Sequence, residues 1–137
     1  MKGVTKYMNA KINDRGLLLI ARANIKAAKR DLQESDEVFV NFCLFNISQA
    51  VEKTLKFLCS CHCIDYDYSH FLESIADKLT SAGVKIPGGI LDSLGDYGKW
   101  ATRGRYVVNQ LAQRSHAQKQ LDEVDEWVSS IEEQMNV

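Results

Sequence analysis

The chain has 137 residues, of which 45% are hydrophobic and 26% charged, and its formal net charge is −1. These values are typical of one soluble globular domain that is long enough to bury a core. They exclude a membrane-spanning helix, because no uncharged apolar run of about 18 residues occurs. The N-terminal residues also lack the apolar stretch of a secretion signal, so we expect a cytoplasmic protein.

The small net charge conceals a separation of basic and acidic residues along the chain. Residues 1–30 contain eight bases and one acid, whereas residues 122–137 contain six acids and no base. The first and last helices of an up-and-down bundle are usually neighbours, so we expect the acidic last helix to neutralise the basic first one. A salt-sensitive contact with RNA is the alternative role of these bases. They include the stripe Arg15, Arg22, Lys26 and Lys29.

Apolar residues at helical spacing predict two helices in the first half of the chain. The first is expected over about residues 13–33 and the second over about residues 36–60. The second helix also carries phenylalanines beside its apolar seam, which favours a central helix or one used in self-association. These are Phe39, Phe42, Phe45 and Phe57.

Three further helical segments are predicted in the second half. A third helix is expected over about residues 70–82, with Gly83 ending it. Pro87 opens a shorter fourth segment at the first-turn position that proline favours. The last helix is expected over about residues 116–135, where Ser115 begins a pattern that resembles a capping box.

Together these elements predict an all-α fold, an up-and-down antiparallel helical bundle of four main helices plus a shorter one. The bundle is expected to form a single domain over residues 13–137. A flexible N-terminal segment over residues 1–12 would precede it. No alternating pattern typical of a β-strand competes with the helical spacing.

Three of the four cysteines crowd into a short stretch, at Cys59, Cys61 and Cys63, and the fourth is Cys43. Two separated ligand pairs normally build a four-coordinate zinc site, and no second pair is present. We therefore expect free thiols that pack as small hydrophobic side chains at a helix end, with no metal and no cofactor.

Three elements, taken in order, resemble the HEPN domain family. The second helix contains Phe42-x-x-Phe45-x-x-x-Gln49-Ala50-Val51-Glu52-Lys53-x-Leu55-Lys56, which is similar to the signature helix of that family. His70 follows at the start of the next helix, and Arg103-Gly104-Arg105-Tyr106 is similar to a later turn. The resemblance extends over roughly residues 14–135, nearly the whole chain.

The resemblance implies a helical bundle that is commonly a homodimer, often encoded beside a minimal nucleotidyltransferase. Catalytic members are metal-independent ribonucleases that carry an arginine, four to six further residues and then a histidine. The histidines here are His62, His70 and His116, and no arginine precedes any of them at that distance. The sequence therefore assigns no catalytic residue, and it favours a non-catalytic protein without deciding whether the chain is an enzyme.

The candidate ligand-binding residues are basic or aromatic. Guanidinium groups bind phosphate in bidentate fashion and a tyrosine stacks on a base, which favours a phosphate or nucleotide site. The alternative for Arg105 is an ion pair that fixes its loop. The alternative for Lys53 and Lys56 is a place on the outer face of the bundle, with Glu52 and Lys56 as an ion pair. The candidates are Arg103, Arg105, Tyr106, Lys53, Lys56 and His70.

Our leading hypothesis is a non-catalytic HEPN-like homodimer that binds a nucleotide or an RNA phosphate. It would act with a partner such as a minimal nucleotidyltransferase, as in toxin–antitoxin pairs. One alternative is a pure interaction and dimerisation module without a ligand. The other is a divergent metal-independent ribonuclease that uses Arg105 or Arg114 with His116.

Overall fold

The computed structural model describes residues 12–66, 71–100 and 113–135. Within these ranges the chain forms six helices and no strand, which confirms the predicted all-α fold. The helices are α1 (Ile12–Gln33), α2 (Val38–Cys61), α3 (Leu72–Ser81), α4 (Gly88–Asp92), α5 (Leu94–Lys99) and α6 (Arg114–Met135). The flexible segment predicted over residues 1–12 lies outside the described residues, apart from the residue that begins α1.

The helices α1 and α2 form an antiparallel pair, and theirs is the most extensive helix contact in the described chain. A short connection over residues 34–37 joins them. The predicted apolar stripe of α1 is buried, with Leu18 at 6% exposure and Ala21, Ile25 and Ala28 at 0%. This burial explains why a sequence with strict helical spacing forms one long helix here.

The helix α2 is central, as its wide apolar surface predicted. Sixteen of its 24 residues are buried, and α1, α3, α5 and α6 all pack against it. A helix enclosed in this way buries its polar residues together with its apolar ones. The candidate site residues that α2 carries are therefore placed by the core packing.

Two element boundaries differ from the sequence prediction. The segment after Pro87 is not one helix but two short ones, α4 and α5, which meet at Ser93. The last helix begins at Arg114, so the prediction of Ser115 as its N-cap is wrong. The helical hydrogen bonding already includes that residue, because the Ala117 N–H donates to the Gln113 carbonyl at 3.1 Å.

The end of α3 confirms the role predicted for Gly83, which has a φ of 85°. Its N–H donates to the Thr80 carbonyl at 3.0 Å, and the Val84 N–H donates to the Leu79 carbonyl at 3.0 Å. This pair of bonds is the Schellman arrangement, which satisfies carbonyls that the helix leaves open. Glycine adopts this left-handed conformation without a steric penalty.

The end of α2 has the same arrangement, but with a cysteine in the glycine position. Cys63 has a φ of 54°. Its N–H donates to the Ser60 carbonyl at 3.3 Å, and the Ile64 N–H donates to the Cys59 carbonyl at 2.9 Å. A side chain with a Cβ is unfavourable in this conformation, so Cys63 is a strained position.

Replacing Cys63 with glycine is expected to stabilise the protein by about 1 kcal/mol, because glycine removes the steric cost of the left-handed conformation. The measurement is the free energy of unfolding from urea denaturation. Cys63→Ala is the matched control, because alanine removes the thiol but keeps the Cβ. If both substitutions changed the free energy of unfolding equally, the left-handed conformation of Cys63 would not be a source of strain.

Ion pairs join α1 to α6 across the surface of the bundle. Arg22 contacts Asp125 and Glu132, both at 2.6 Å, and Lys29 contacts Asp125 at 2.7 Å. Arg22 also donates a hydrogen bond to the Ser129 hydroxyl at 3.0 Å. The predicted neutralisation of the basic first helix by the acidic last one is confirmed for these residues.

The ion pairs change how two of these groups bind protons. The hydrogen bond to Glu132 is the main cause that raises the pKa of Arg22. Partial burial raises the pKa of Asp125, but hydrogen bonds from Arg22 and Lys29 outweigh it and the net pKa is lowered. The ionised form of Asp125 therefore stabilises the fold above the ordinary aspartate pKa, and this stabilisation is lost as the pH falls through the lowered pKa.

Asp125→Asn is expected to cost about 1 kcal/mol at neutral pH, because the surface ion pairs that it removes are partly exposed. The substitution should also make the fall in stability between about pH 5 and pH 2 shallower. Urea unfolding across this pH range provides the measurement. Glu126→Gln, which removes an exposed carboxylate outside this network, is the control. If Asp125→Asn lost stability with falling pH as steeply as the wild type, the ion pairs of Asp125 would contribute nothing to the pH dependence of stability.

Candidate functional site

The segment that resembles the HEPN signature lies in the middle of α2. Ala50, Val51 and Leu55 are fully buried and belong to the hydrophobic core. Their spacing places them on the faces of α2 that its neighbours cover. The polar members of the segment follow the same helix and so have fixed positions relative to the core.

Glu52 is the most unusual residue of this segment, because it is charged and only 1% exposed. Its Oε2 atom lies 3.0 Å from the Lys53 Nζ and 3.5 Å from the Lys56 Nζ. The expected ion pair between Glu52 and Lys56 is therefore present. The expectation that it lies on the outer face is wrong, because α2 is enclosed and the carboxylate is inside the protein.

The two lysines differ in how accessible they are. The side chain of Lys56 is 11% exposed and that of Lys53 is 24% exposed. The Lys56 Nζ also lies 5.6 Å from the centre of the Tyr66 ring, a distance that allows a cation–π interaction. Lys56 is thus held between a carboxylate and an aromatic ring, whereas Lys53 has the ammonium group that a ligand reaches more easily.

The charges of this cluster do not cancel, since one carboxylate faces two ammonium groups. We call Glu52, Lys53 and Lys56 the α2 charge cluster. Its excess positive charge in a partly desolvated position is suited to an anion such as a phosphate. The Tyr66 ring contacts this cluster through Lys56, and Tyr66 stands four positions before His70 in the sequence.

The other candidate site residues lie outside the described residues. These are His70, Arg103, Arg105 and Tyr106. Their assignment to a common site with Lys53 and Lys56 therefore stays a prediction.

Arg114, one of the two arginines considered for a divergent ribonuclease, has a structural role. Its guanidinium donates to the Leu32 carbonyl at 2.6 Å and to the Glu34 carbonyl at 2.9 Å, and it contacts the Glu37 carboxylate at 3.1 Å. These bonds satisfy carbonyls at the end of α1. His116 is exposed and lies two positions further along α6, a spacing that does not share a helix face. The structure does not bring these two residues together.

Three of the four cysteines are buried, as predicted, but Cys63 is exposed. Burial raises the pKa of Cys43 to about 12 and that of Cys59 to about 11, so these thiols stay protonated at neutral pH. All four cysteines are free. Within the described ranges, no group of three histidine, cysteine or acidic side chains is placed to hold a metal ion.

The structure also shows two amides, Asn46 partly buried and Gln120 buried, whose environments the sequence did not reveal. Asn46 accepts a hydrogen bond from Asn24 at 3.3 Å and donates one to Asp31 at 3.0 Å, which joins α1 to α2. Burial raises the pKa of Asp31. In α6, Gln120 is 2% exposed, and its amide has no hydrogen-bond partner in the described part of the chain. Amides on helices usually indicate surface positions, so no sequence signal marked them.

The described chain is an all-α bundle, and its central helix carries the α2 charge cluster of one buried carboxylate and two ammonium groups. The chain matches the model of the HEPN domain over residues 15–136. It belongs to the HEPN domain family, which confirms the resemblance of the Gln49–Lys56 segment and supports a function related to nucleotides or RNA in general. No curated protein and no solved structure matches the chain.

In the described ranges, no helix has the length and apolar character needed to cross a membrane.

Glu52→Gln is expected to destabilise the protein by about 3 kcal/mol, because it leaves two partly buried ammonium groups without their common carboxylate. Urea unfolding at neutral pH measures the change. Glu133→Gln, on the exposed surface of α6, is the control and should alter stability by less than about 0.5 kcal/mol. If the two variants were equally stable, the α2 charge cluster would have no structural importance.

Proposed function

We propose that this HEPN-domain protein binds a nucleotide or an RNA phosphate without cleaving it. The α2 charge cluster is the observation that carries this proposal. A buried ion pair gains little net stability over apolar residues of the same size. The surplus positive charge that the two lysines leave around this carboxylate is suited to an anionic ligand.

Each member of the cluster has a distinct part in this binding. Lys53, which is the more exposed lysine, would contact the phosphate oxygens directly. Glu52 would position both ammonium groups, and the Tyr66 ring supports Lys56. The phosphate would accept hydrogen bonds from the lysine ammonium groups that also contact Glu52. Binding would therefore replace part of the interaction between Glu52 and these lysines.

Arg103, Arg105, Tyr106 and His70 would complete the site. Arginine supplies the bidentate contacts that lysine lacks, and tyrosine supplies a surface on which a base stacks. The imidazole of histidine can both donate and accept a hydrogen bond when it is neutral. The proposal that they lie near the α2 charge cluster is supported by Tyr66, which precedes the segment leading to His70 and already contacts Lys56.

The absence of cleavage is proposed from the sequence and from Arg114. No arginine stands at the ribonuclease spacing before a histidine. The guanidinium of Arg114 is committed to carbonyls of the α1–α2 connection, so its use in chemistry would disrupt the fold. These two observations support the proposal of binding without hydrolysis.

We further propose that the protein acts in the cytoplasm as a homodimer, with a partner of the minimal nucleotidyltransferase type in a toxin–antitoxin pair. The free thiols are consistent with a reducing compartment. The N-terminal half of α2 supports dimerisation, because Phe42 is 36% exposed and its ring packs edge-on against Phe39 at 5.5 Å. The same residues favour the second candidate function, a pure interaction module, if no ligand binds.

Isothermal titration with ATP, other nucleotides and short RNAs tests the ligand. We expect Lys53→Gln and Arg105→Gln each to weaken the affinity of the bound ligand about tenfold, the effect of losing one charged contact. Lys119→Gln removes an exposed lysine from α6 and is the matched control. The RNA should stay intact on a gel. A folded wild-type protein that binds none of these ligands would refute the binding function, and RNA cleavage would refute the non-catalytic one.

Analytical ultracentrifugation tests the dimer. Phe42→Glu is expected to convert a dimer into a monomer, because a carboxylate on an apolar interface is not solvated. Phe71→Glu is the control, since Phe71 is 70% exposed on a different element. A wild-type protein that stays monomeric at all concentrations would contradict the homodimer.

A further inference from the structure

The outer face of α1 carries apolar side chains that the rest of the described chain does not cover. Leu19 is 74% exposed and Ile20 is 47% exposed. Ala23 is exposed one turn further along. These residues lie on the side of α1 opposite to its buried stripe, because they fall between the positions that repeat every three or four residues. We call Gly16, Leu19, Ile20 and Ala23 the α1 strip.

Gly16 gives this strip a feature that folding does not explain. It lies inside α1, where glycine costs about 1 kcal/mol relative to alanine. A Cβ built on Gly16 would meet no atom within 4 Å, so the packing of this chain does not require glycine there. Gly16 lies one turn before Ile20 and two turns before Ala23 on the same face. A small residue in this position is useful when another backbone approaches the helix closely.

The charges around the strip indicate what approaches it. Lys26 and Arg30 follow the strip along α1 and are exposed. Neither has an ion-pair partner among the described residues, whereas Arg22 and Lys29 on the same helix are paired with α6. The unpaired charges of Lys26 and Arg30 therefore lie beside the α1 strip. The bases on the side of α1 that faces α6 are neutralised by that helix.

Length and chemistry together restrict the occupant. From Gly16 to Arg30 a helix rises about 21 Å, which is about four turns and suits a second helix lying along it. A nucleic acid would use the bases but would leave Leu19 and Ile20 without a role. A second copy of the chain packed antiparallel on the strip would place Lys26 and Arg30 beside the start of the other α1, where residues 12–16 hold one acid and one base and so supply no net negative charge.

We propose that the α1 strip docks an amphipathic helix of a partner protein, with small and aliphatic residues on one face and acidic residues along its borders. The apolar face would bury Leu19 and Ile20 and lie close to the helix axis at Gly16. The acidic border would pair with Lys26 and Arg30. This inference rests on the proposed function only for the existence of a protein partner, and it is independent of the phosphate site.

The test uses two synthetic helical peptides of about 20 residues, long enough to form a helix. Both carry the same leucine and alanine strip, but one has glutamate borders and the other lysine borders. Fluorescence anisotropy with the full chain should show binding of the glutamate peptide at least about tenfold tighter than that of the lysine peptide. This binding should weaken as the salt concentration rises.

Variants of the strip identify the docking surface. Ile20→Glu, Gly16→Leu and Lys26→Glu should each weaken binding of the glutamate peptide about tenfold or more. Phe71→Glu changes an exposed apolar side chain outside α1 and should leave binding unchanged. Circular dichroism confirms that each variant is folded, and Ile20→Glu should keep the affinity for any nucleotide or RNA that the wild type binds.

Three results would overturn the inference. The first is equal binding of both peptides or of neither by the folded wild type. The second is undiminished binding of the glutamate peptide by Ile20→Glu. The third is self-association that Ile20→Glu abolishes in the ultracentrifuge, because this would assign the strip to a second copy of the chain. None of these results depends on nucleotide binding, so the two proposals fail separately.

Discussion

Because neighbours enclose α2 along most of its length, every buried polar group on it must find a partner inside the protein. Ser48 and Thr54 meet this requirement within the helix, since their hydroxyls donate to the Phe45 and Ala50 carbonyls at 2.6 and 2.7 Å. Glu52 cannot do so as a charged group and needs lysines beside it. The packing of the bundle and the character of the site therefore follow from one condition, the burial of a single helix.

This condition separates the two ends of α2. Toward the C-terminal end, charged side chains are held in a fixed arrangement that suits recognition of an anion. Toward the N-terminal end, aromatic rings such as Phe42 reach the surface and suit contact with another protein. One rigid element thus offers two kinds of surface, and their relative position cannot change without unfolding the core.

Much of the fold could be predicted because it depends on local spacing. The apolar stripe of α1 and the glycine at position 83 are visible in a short stretch of sequence, and their roles are confirmed. The charge cluster was less predictable. A glutamate and a lysine four positions apart look the same on an exposed helix and on an enclosed one, and only the surrounding helices decide which is true. The environments of the Asn46 and Gln120 amides were missed for the same reason, since they depend on residues distant in sequence.

The side chains that attach α6 connect residues far apart in the chain. Arg22 lies 103 residues from Asp125, and Arg114 lies 82 residues from Leu32. During synthesis on the ribosome, the α1–α2 hairpin is complete long before these contacts become available. Until the last helix emerges, the nascent chain presents a basic helix and an open apolar seam. Attachment of α6 is therefore the step that completes the fold, and chains shortened at the C-terminus would resemble unfinished intermediates prone to bind polyanions and to aggregate.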